Sequence, residues 1–200
     1  MGNNPTLPSF AFGLAWVALL PACQNQDDII QAARFGDLEK LSDCIESGIS
    51  VDHADPVGET PLFHIIGAGS EKAFELLMAN GADIRLRDSQ GNTTLHKAVN
   101  FGRREFALQL IEWGLDINAT NKVGATALHY AVRSGNLGMV EFLVEKGAEV
   151  EVKNADDISP AQVAQAMSEQ EGLSGPMGGM ISKKQMNKIM SALTKPTINK

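Results

Sequence analysis

Histidines are the residues of this chain whose type could support acid–base or metal chemistry, but their spacing does not form a catalytic set. His96 and His129 lie 33 residues apart at equivalent positions of a repeated motif, which favours a structural role. His53 and His64 have no companion at metal-ligand spacing. No H-E-x-x-H, Walker A or G-x-S-x-G motif occurs. The sequence therefore predicts no catalytic residues, no metal site and no cofactor.

The elements that position these histidines repeat every 33 residues. Thr60, Thr93, Thr126 and Ser159 are separated by this step. Three sets of glycines follow the same step: Gly58, Gly91 and Gly124; Gly36, Gly69, Gly102 and Gly135; Gly48, Gly81, Gly114 and Gly147. Because these glycines recur with the repeat, we interpret them as turn residues and not as a phosphate-binding loop.

The repeated residues resemble the ankyrin repeat. Residues 93–98 (T-T-L-H-K-A) and 126–131 (T-A-L-H-Y-A) resemble its T-P-L-H-x-A motif, and residues 114–118 (G-L-D-I-N) resemble its G-A-D-V-N motif. The resemblance covers roughly residues 24–168. It implies an all-α solenoid of about five helix pairs with β-turn fingers. It also implies that the motif histidine hydrogen-bonds turn backbones and that partners bind to the fingers and inner helices.

Helix signals in the residues agree with this interpretation. Thr60 can cap a helix, and Pro61 follows at the first helical position, where its missing N–H costs nothing. Phe74, Leu77 and Met78 recur at helical spacing in the second helix of that unit. One unit is too thin to cover its own apolar face, so stacked neighbours must share a core. We place the repeats at about 24–54, 55–87, 88–120, 121–153 and a partial 154–168.

The N-terminal segment is interpreted as a signal peptide. Residues 10–20 contain no charge, and this run is too short to span a membrane but has the length of a signal-peptide core. Residues 20–23 (L-P-A-C) resemble a bacterial lipobox, which implies removal of residues 1–22 and acylation of Cys23. Two alternatives stay open: an N-myristoylation signal in residues 1–6, and a buried helix packed on the first repeat.

The second cysteine is expected to be part of the core. Cys44 falls on the column of Leu77, Leu110 and Leu143, which predicts a buried apolar role. We expect that Cys23 and Cys44 do not meet, so a mature lipoprotein would hold Cys44 as a free thiol.

The repeat pattern ends near Met167, and residues 169–200 are interpreted as a Gly/Met-rich linker and a short basic amphipathic helix. Met186, Ile189, Met190 and Leu193 follow helical spacing, which predicts a helix over residues 182–194. This helix either caps the array or binds a partner. In the last repeat Asp157 stands where the other fingers have glycine, so we expect a positive φ there.

The charge distribution excludes nucleic acid as a partner. Residues 27–171 carry all 24 acidic residues and 12 basic ones, a net charge of −12. Binding to phosphates requires clustered Lys and Arg, and this body lacks them. The tail after Glu171 carries five lysines and no acid, which is typical of a solvated tail.

Protein binding is the function that this pattern favours. The candidate binding residues lie on the fingers and at the ends of the first helices: Arg34, Phe35, Val57, Arg87, Phe101, Lys122, Val123, Tyr130 and Arg133. We expect a monomeric, non-catalytic module of the bacterial periplasm or outer membrane, touching the membrane only through a lipid on Cys23. It could neutralise or chaperone an exported protein, as an immunity protein does with a toxin. The alternative is a cytosolic or host-targeted scaffold or effector.

Overall fold

The computed structural model describes Cys23, residues 25–169 and residues 181–194. Residues 1–22, with the predicted signal peptide, and residues 170–180, with most of the predicted linker, lie outside the described residues. The helices are α1 (Asp27–Phe35), α2 (Leu38–Glu46), α3 (Pro61–Ala68), α4 (Glu71–Ala79), α5 (Thr94–Asn100), α6 (Arg104–Glu112), α7 (Ala127–Arg133), α8 (Leu137–Glu145), α9 (Pro160–Glu169) and α10 (Lys183–Leu193).

The helices form an α-solenoid, as the sequence predicts. The first helices of successive repeats, α1, α3, α5, α7 and α9, contact one another in that order and form an inner row. The second helices form an outer row, in which α8 contacts α10. Within the described ranges the one β pairing is an isolated bridge between Arg87 and Thr93. The fold is therefore all-α.

Local chemistry explains where the inner helices begin. Thr60, Thr93 and Thr126 each hold an extended backbone immediately before a helix. Pro61 occupies the first helical position of α3. Aliphatic side chains on the inner faces, such as Leu95 and Leu128, are almost completely buried. Each such side chain contributes about 1.5–3 kcal/mol of stability, so the stack depends mainly on this shared core.

The last described helix, α10, packs against the end of the array. Met186, Ile189 and Leu193 are buried, and α10 contacts both α8 and α9. Of the two alternatives given for this helix, a cap of the array or a partner-binding helix, this packing agrees with the cap. The described segments contain no helix that is long and apolar enough to cross a membrane.

The last finger has the backbone conformation that the sequence predicts. Asp157 has φ of 61° and is the only non-glycine residue with a positive φ in the described ranges. Its carboxylate accepts hydrogen bonds from Lys153 Nζ at 2.9 Å. At the equivalent Gly124, φ is 71° and a Cβ atom would lie 2.9 Å from the Ala155 backbone nitrogen. The two positions share a conformation, but only the earlier one is sterically closed to a side chain.

Candidate protein-binding surface

Four fingers project beside the inner helices, and an Asp or Asn at the start of each one shapes its turn. In the second finger, Asp88 Oδ1 accepts hydrogen bonds from the N–H groups of Gln90 and Asn92, at 2.9 and 2.8 Å. In the third finger, Asn121 Oδ1 does the same for Val123 and Ala125. Asp55 and Asn154 repeat this pattern in the other two fingers. The side chains of this column therefore hold the finger turns.

Backbone hydrogen bonds stack successive fingers. Ser89 N–H donates to Val57 O at 2.9 Å, and Lys122 N–H donates to Gln90 O at the same distance. Ala155 N–H makes the equivalent bond to Val123 O. The fingers consequently form one ordered ridge along the inner row of helices.

A groove of about 550 Å³ lies between this ridge and the ends of the inner helices. Val57, Ser89 and Gln90 line it on the finger side, and Asn100, Phe101 and Arg133 line it on the helix side. Phe63, Lys97 and Tyr130 also contribute to its lining. The groove spans the second to the fourth repeat, and most of its lining comes from the third, so it is a local feature of the solenoid.

Four of the nine predicted binding residues line this groove. They are Val57, Phe101, Tyr130 and Arg133. The exposed fractions of Val57 and Phe101 are 55% and 36%, which is high for apolar side chains. The Arg133 guanidinium stacks over the Tyr130 ring, 4.9 Å from its centroid. Exposed aromatic groups and Arg are the residue types that anchor protein interfaces.

The other five predicted residues lie outside the groove. Arg87 donates to the carbonyls of Gly91 and Thr120 at 2.9 and 2.8 Å, and Lys122 Nζ donates to Ser89 O at 2.7 Å. These two cations stabilise the finger ridge. The remaining three are surface residues: Arg34, Phe35 and Val123.

The two motif histidines are structural, and their hydrogen bonds fix one tautomer. His96 Nδ1 accepts a hydrogen bond from Thr93 N–H at 3.2 Å, so the ring proton is on Nε2, which donates to Ala125 O at 2.9 Å. His129 repeats this arrangement with Thr126 N–H and Ile158 O. Burial lowers the pKa of both histidines. Each neutral ring therefore links its own helix start to the next finger.

A charged cluster at the edge of the groove was missed by the sequence analysis. His64 Nε2 lies 3.0 Å from Asp55 Oδ2, and His64 Nδ1 lies 3.6 Å from Glu59 Oε2. The Lys97 ammonium bonds the other oxygen of Glu59. Burial lowers the pKa of His64 although both carboxylates oppose this shift. Burial would raise the pKa of Asp55, but hydrogen bonds from Glu59 N–H and from His64 lower it.

The chemistry of this cluster is that of an ion-pair network. Asp55, Glu59 and His64 offer potential ligand atoms within 4.8 Å of one another. A cation there would compete with Lys97 for the Glu59 carboxylate, and both His64 nitrogens already face carboxylate oxygens. The sequence contained a signal for this cluster. His64 and Lys97 lie 66 and 33 residues before Tyr130 in the same repeat column, and Tyr130 was predicted to bind a partner.

The expectation about the two cysteines is wrong. Cys23 and Cys44 form a disulfide with a Cα–Cα distance of 5.1 Å, well within the normal range. Cys44 is completely buried, as its core column predicts, but it is not a free thiol. A sulfur in a disulfide cannot carry a thioether-linked lipid, so this bond and acylation of Cys23 exclude each other.

Family models agree with the repeat geometry. A model of three ankyrin repeats matches residues 29–121, and a single ankyrin repeat matches residues 123–155. The comparison with curated proteins gives no match. Ankyrin repeats are protein-interaction modules, which agrees with a groove lined by exposed Phe101 and Arg133. From its helix pairs, its histidine links and these matches, the chain belongs to the ankyrin-repeat family.

Proposed function

We propose that this chain is a non-catalytic binder of one protein in the bacterial cell envelope, and that it neutralises or chaperones an exported protein. The observation that carries the binding role is the groove, in which Phe101, Val57 and Arg133 present apolar area and a cation on a rigid scaffold. Groups of this kind, held by helices and stacked fingers, lose little conformational entropy on binding.

Capture of the partner from the native cell tests this role. The double variant Phe101→Ala/Arg133→Ala should retain less than a tenth of the wild-type amount of the dominant partner, because two anchor residues are removed. Ile158→Ala is the matched control, since Ile158 is an exposed apolar residue outside the groove. Equal capture by the wild type and a folded double variant would contradict the role of the groove.

The disulfide supports an exported location. Disulfides persist in oxidising compartments such as the bacterial periplasm and are rare in the cytosol. The Cys23–Cys44 bond ties the chain before α1 to the core position of α2. The proposed location is therefore the periplasm, with the disulfide favouring a soluble form over a lipid-anchored form at the outer membrane.

Mass spectrometry of the native protein separates these forms. A mature chain that contains a Cys23–Cys44 peptide pair without acyl mass supports the soluble exported form. Cleavage before Cys23 with added acyl mass supports the lipoprotein. An intact N-terminus with reduced cysteines contradicts export and favours the cytosolic scaffold.

Reduction provides a second test of the disulfide. Opening a loop of about 20 residues should lower the free energy of unfolding by about 2–4 kcal/mol. The measurement is urea unfolding with and without reductant. The variant Cys23→Ser should have the lowered stability in both conditions, and an unchanged wild-type curve would show that the bond does not form.

A further inference from the structure

The charged groups of the groove differ in whether they already have partners. Glu59 is bonded to Lys97. Asp88 accepts two backbone N–H bonds through Oδ1 and the Asn92 amide through Oδ2. Both carboxylates and the lysine are therefore used within the protein, and they offer little to a ligand.

Arg133 is the charged group of the groove lining whose side chain has neither an ion pair nor a hydrogen bond among the described residues. Among the described residues its guanidinium contacts the Tyr130 ring, and no carboxylate lies within ion-pair distance. The contact with the Tyr130 ring leaves the N–H donors of the guanidinium without acceptors in the part of the chain that the structure describes. A planar guanidinium with free donors matches the two oxygens of a carboxylate.

The groove also exposes apolar side chains that a ligand must cover. Phe101 and Arg133 both line the helix side of the groove, and Val57 lines the finger side. Both side chains are exposed. A ligand that pairs with Arg133 alone would leave this apolar area in contact with water, which costs about 25 cal/mol per Å².

We propose that the groove binds an extended segment of the partner protein that carries an Asp or Glu carboxylate next to an apolar side chain. The carboxylate pairs with Arg133, and the apolar side chain covers Phe101 and Val57. This inference rests on the proposed protein-binding function and names the chemistry of the partner.

Charge complementarity supports this occupant over a basic one. The inner-row helices α3, α5 and α7 carry Lys97 and Arg133 and no acidic side chain. The lining carries two carboxylates (Glu59 and Asp88) and two cations (Lys97 and Arg133), so its formal charges cancel. Because Glu59 bonds Lys97 and Asp88 accepts three hydrogen bonds, the charge left available to a ligand is that of Arg133. A basic segment would face Arg133 without any free carboxylate to bind.

Selection from a displayed random peptide library tests the proposal with the folded protein. We expect the wild type to enrich peptides with an acidic residue within two positions of a large apolar residue. Arg133→Gln should weaken binding of a synthetic enriched peptide at least about tenfold, since it removes a charge-assisted hydrogen bond. The affinity of Arg133→Lys should lie between those of the wild type and Arg133→Gln, because Lys keeps the charge but cannot bind a carboxylate bidentately.

Arg85→Gln is the matched control, because Arg85 is exposed outside the groove and loses the same charge. Equal affinity of Arg133→Gln and Arg85→Gln for an acidic peptide would overturn the proposal. Enrichment of basic or purely apolar peptides would also overturn the acidic-segment proposal. If these peptides lose binding in Phe101→Ala, the proposed protein-binding role of the groove still holds. The proposal is also overturned if no enriched peptide loses binding in Phe101→Ala. Capture of the whole partner protein then decides whether the groove binds a protein at all.

Discussion

The junction between the second and third repeats differs from the two junctions that follow it. His96 and His129 each connect their helix start to the next finger, with bonds of 2.9 and 3.1 Å. Phe63 occupies this histidine position in the second repeat, and the Thr60 hydroxyl is buried without a hydrogen-bond partner. The Glu59–Lys97 ion pair crosses this junction instead. The groove spans this junction and the next one.

This junction lacks the stabilising histidine link of the other two, and it lies beside the candidate binding surface. Buried polar groups without partners are rare, and each one calls for an explanation. The functional surface is expected where local consistency fails. Phe63 replaces the histidine beneath the groove and is completely buried, so this one substitution accounts for the unpaired Thr60 hydroxyl.

Reciprocal exchange at the two junctions should give the largest effect. His96→Phe is expected to lower the free energy of unfolding by about 2–4 kcal/mol, because the Thr93 N–H loses its acceptor and the Ala125 carbonyl loses one of its donors. Phe63→His should cost less, about 1 kcal/mol, because a new pairing with Thr60 offsets part of the lost apolar burial. Urea unfolding of both variants measures the contrast, and equal losses would show that the junctions are equivalent.

The pH dependence of stability that arises from His96 and His129 should be the next largest effect. Burial lowers the pKa of His96 and His129 in the folded state, so between that pKa and about 6.5 the unfolded chain binds more protons. Stability is therefore full above pH 6.5 and decreases as the pH falls below it, by up to about 1.4 kcal/mol per pH unit for each histidine.

The double variant His96→Gln/His129→Gln is the control for this titration. It should be less stable at neutral pH, and its pH dependence between 5 and 7 should be shallower. An identical slope for the wild type and the double variant would assign the dependence to other groups.

The repeat architecture was predictable from the sequence because each repeat imposes the same columns of caps, turns and buried positions. Thr93, His96 and Leu95 all lie where their columns place them. The Cys23–Cys44 bond was missed because Cys23 belongs to no repeat column and its segment was interpreted as a signal peptide. The cluster around His64 was missed because it joins Asp55 and Glu59 of one repeat to Lys97 of the next, a contact that the repeat columns do not show.

The ion pair that replaces the histidine link should make a smaller contribution. A double-mutant cycle with Glu59→Gln and Lys97→Met is expected to give a coupling energy of about 0.5–1 kcal/mol, because the pair is only partly buried. Thermal unfolding at low and high salt measures it. A coupling energy near zero would leave the second junction held by apolar contacts and finger hydrogen bonds alone.

The last finger should give the smallest effect. Asp157→Gly is expected to raise the melting temperature, with a gain of several tenths of a kcal/mol from relief of the positive φ, reduced by the loss of the exposed Lys153 contact. Gly124→Asp is the matched reverse change and should be destabilising, because its Cβ would approach the Ala155 nitrogen. A lower melting temperature for Asp157→Gly would refute the strain at this turn.

Site-specific photo-crosslinking in the native cell tests the protein-binding groove most directly. A photoreactive amino acid at Phe101 reports on the groove, and the same group at Glu75 reports on the outer helix α4. The account predicts that position 101 crosslinks one dominant protein and that position 75 does not. Crosslinking of the same protein from position 75 alone would contradict it.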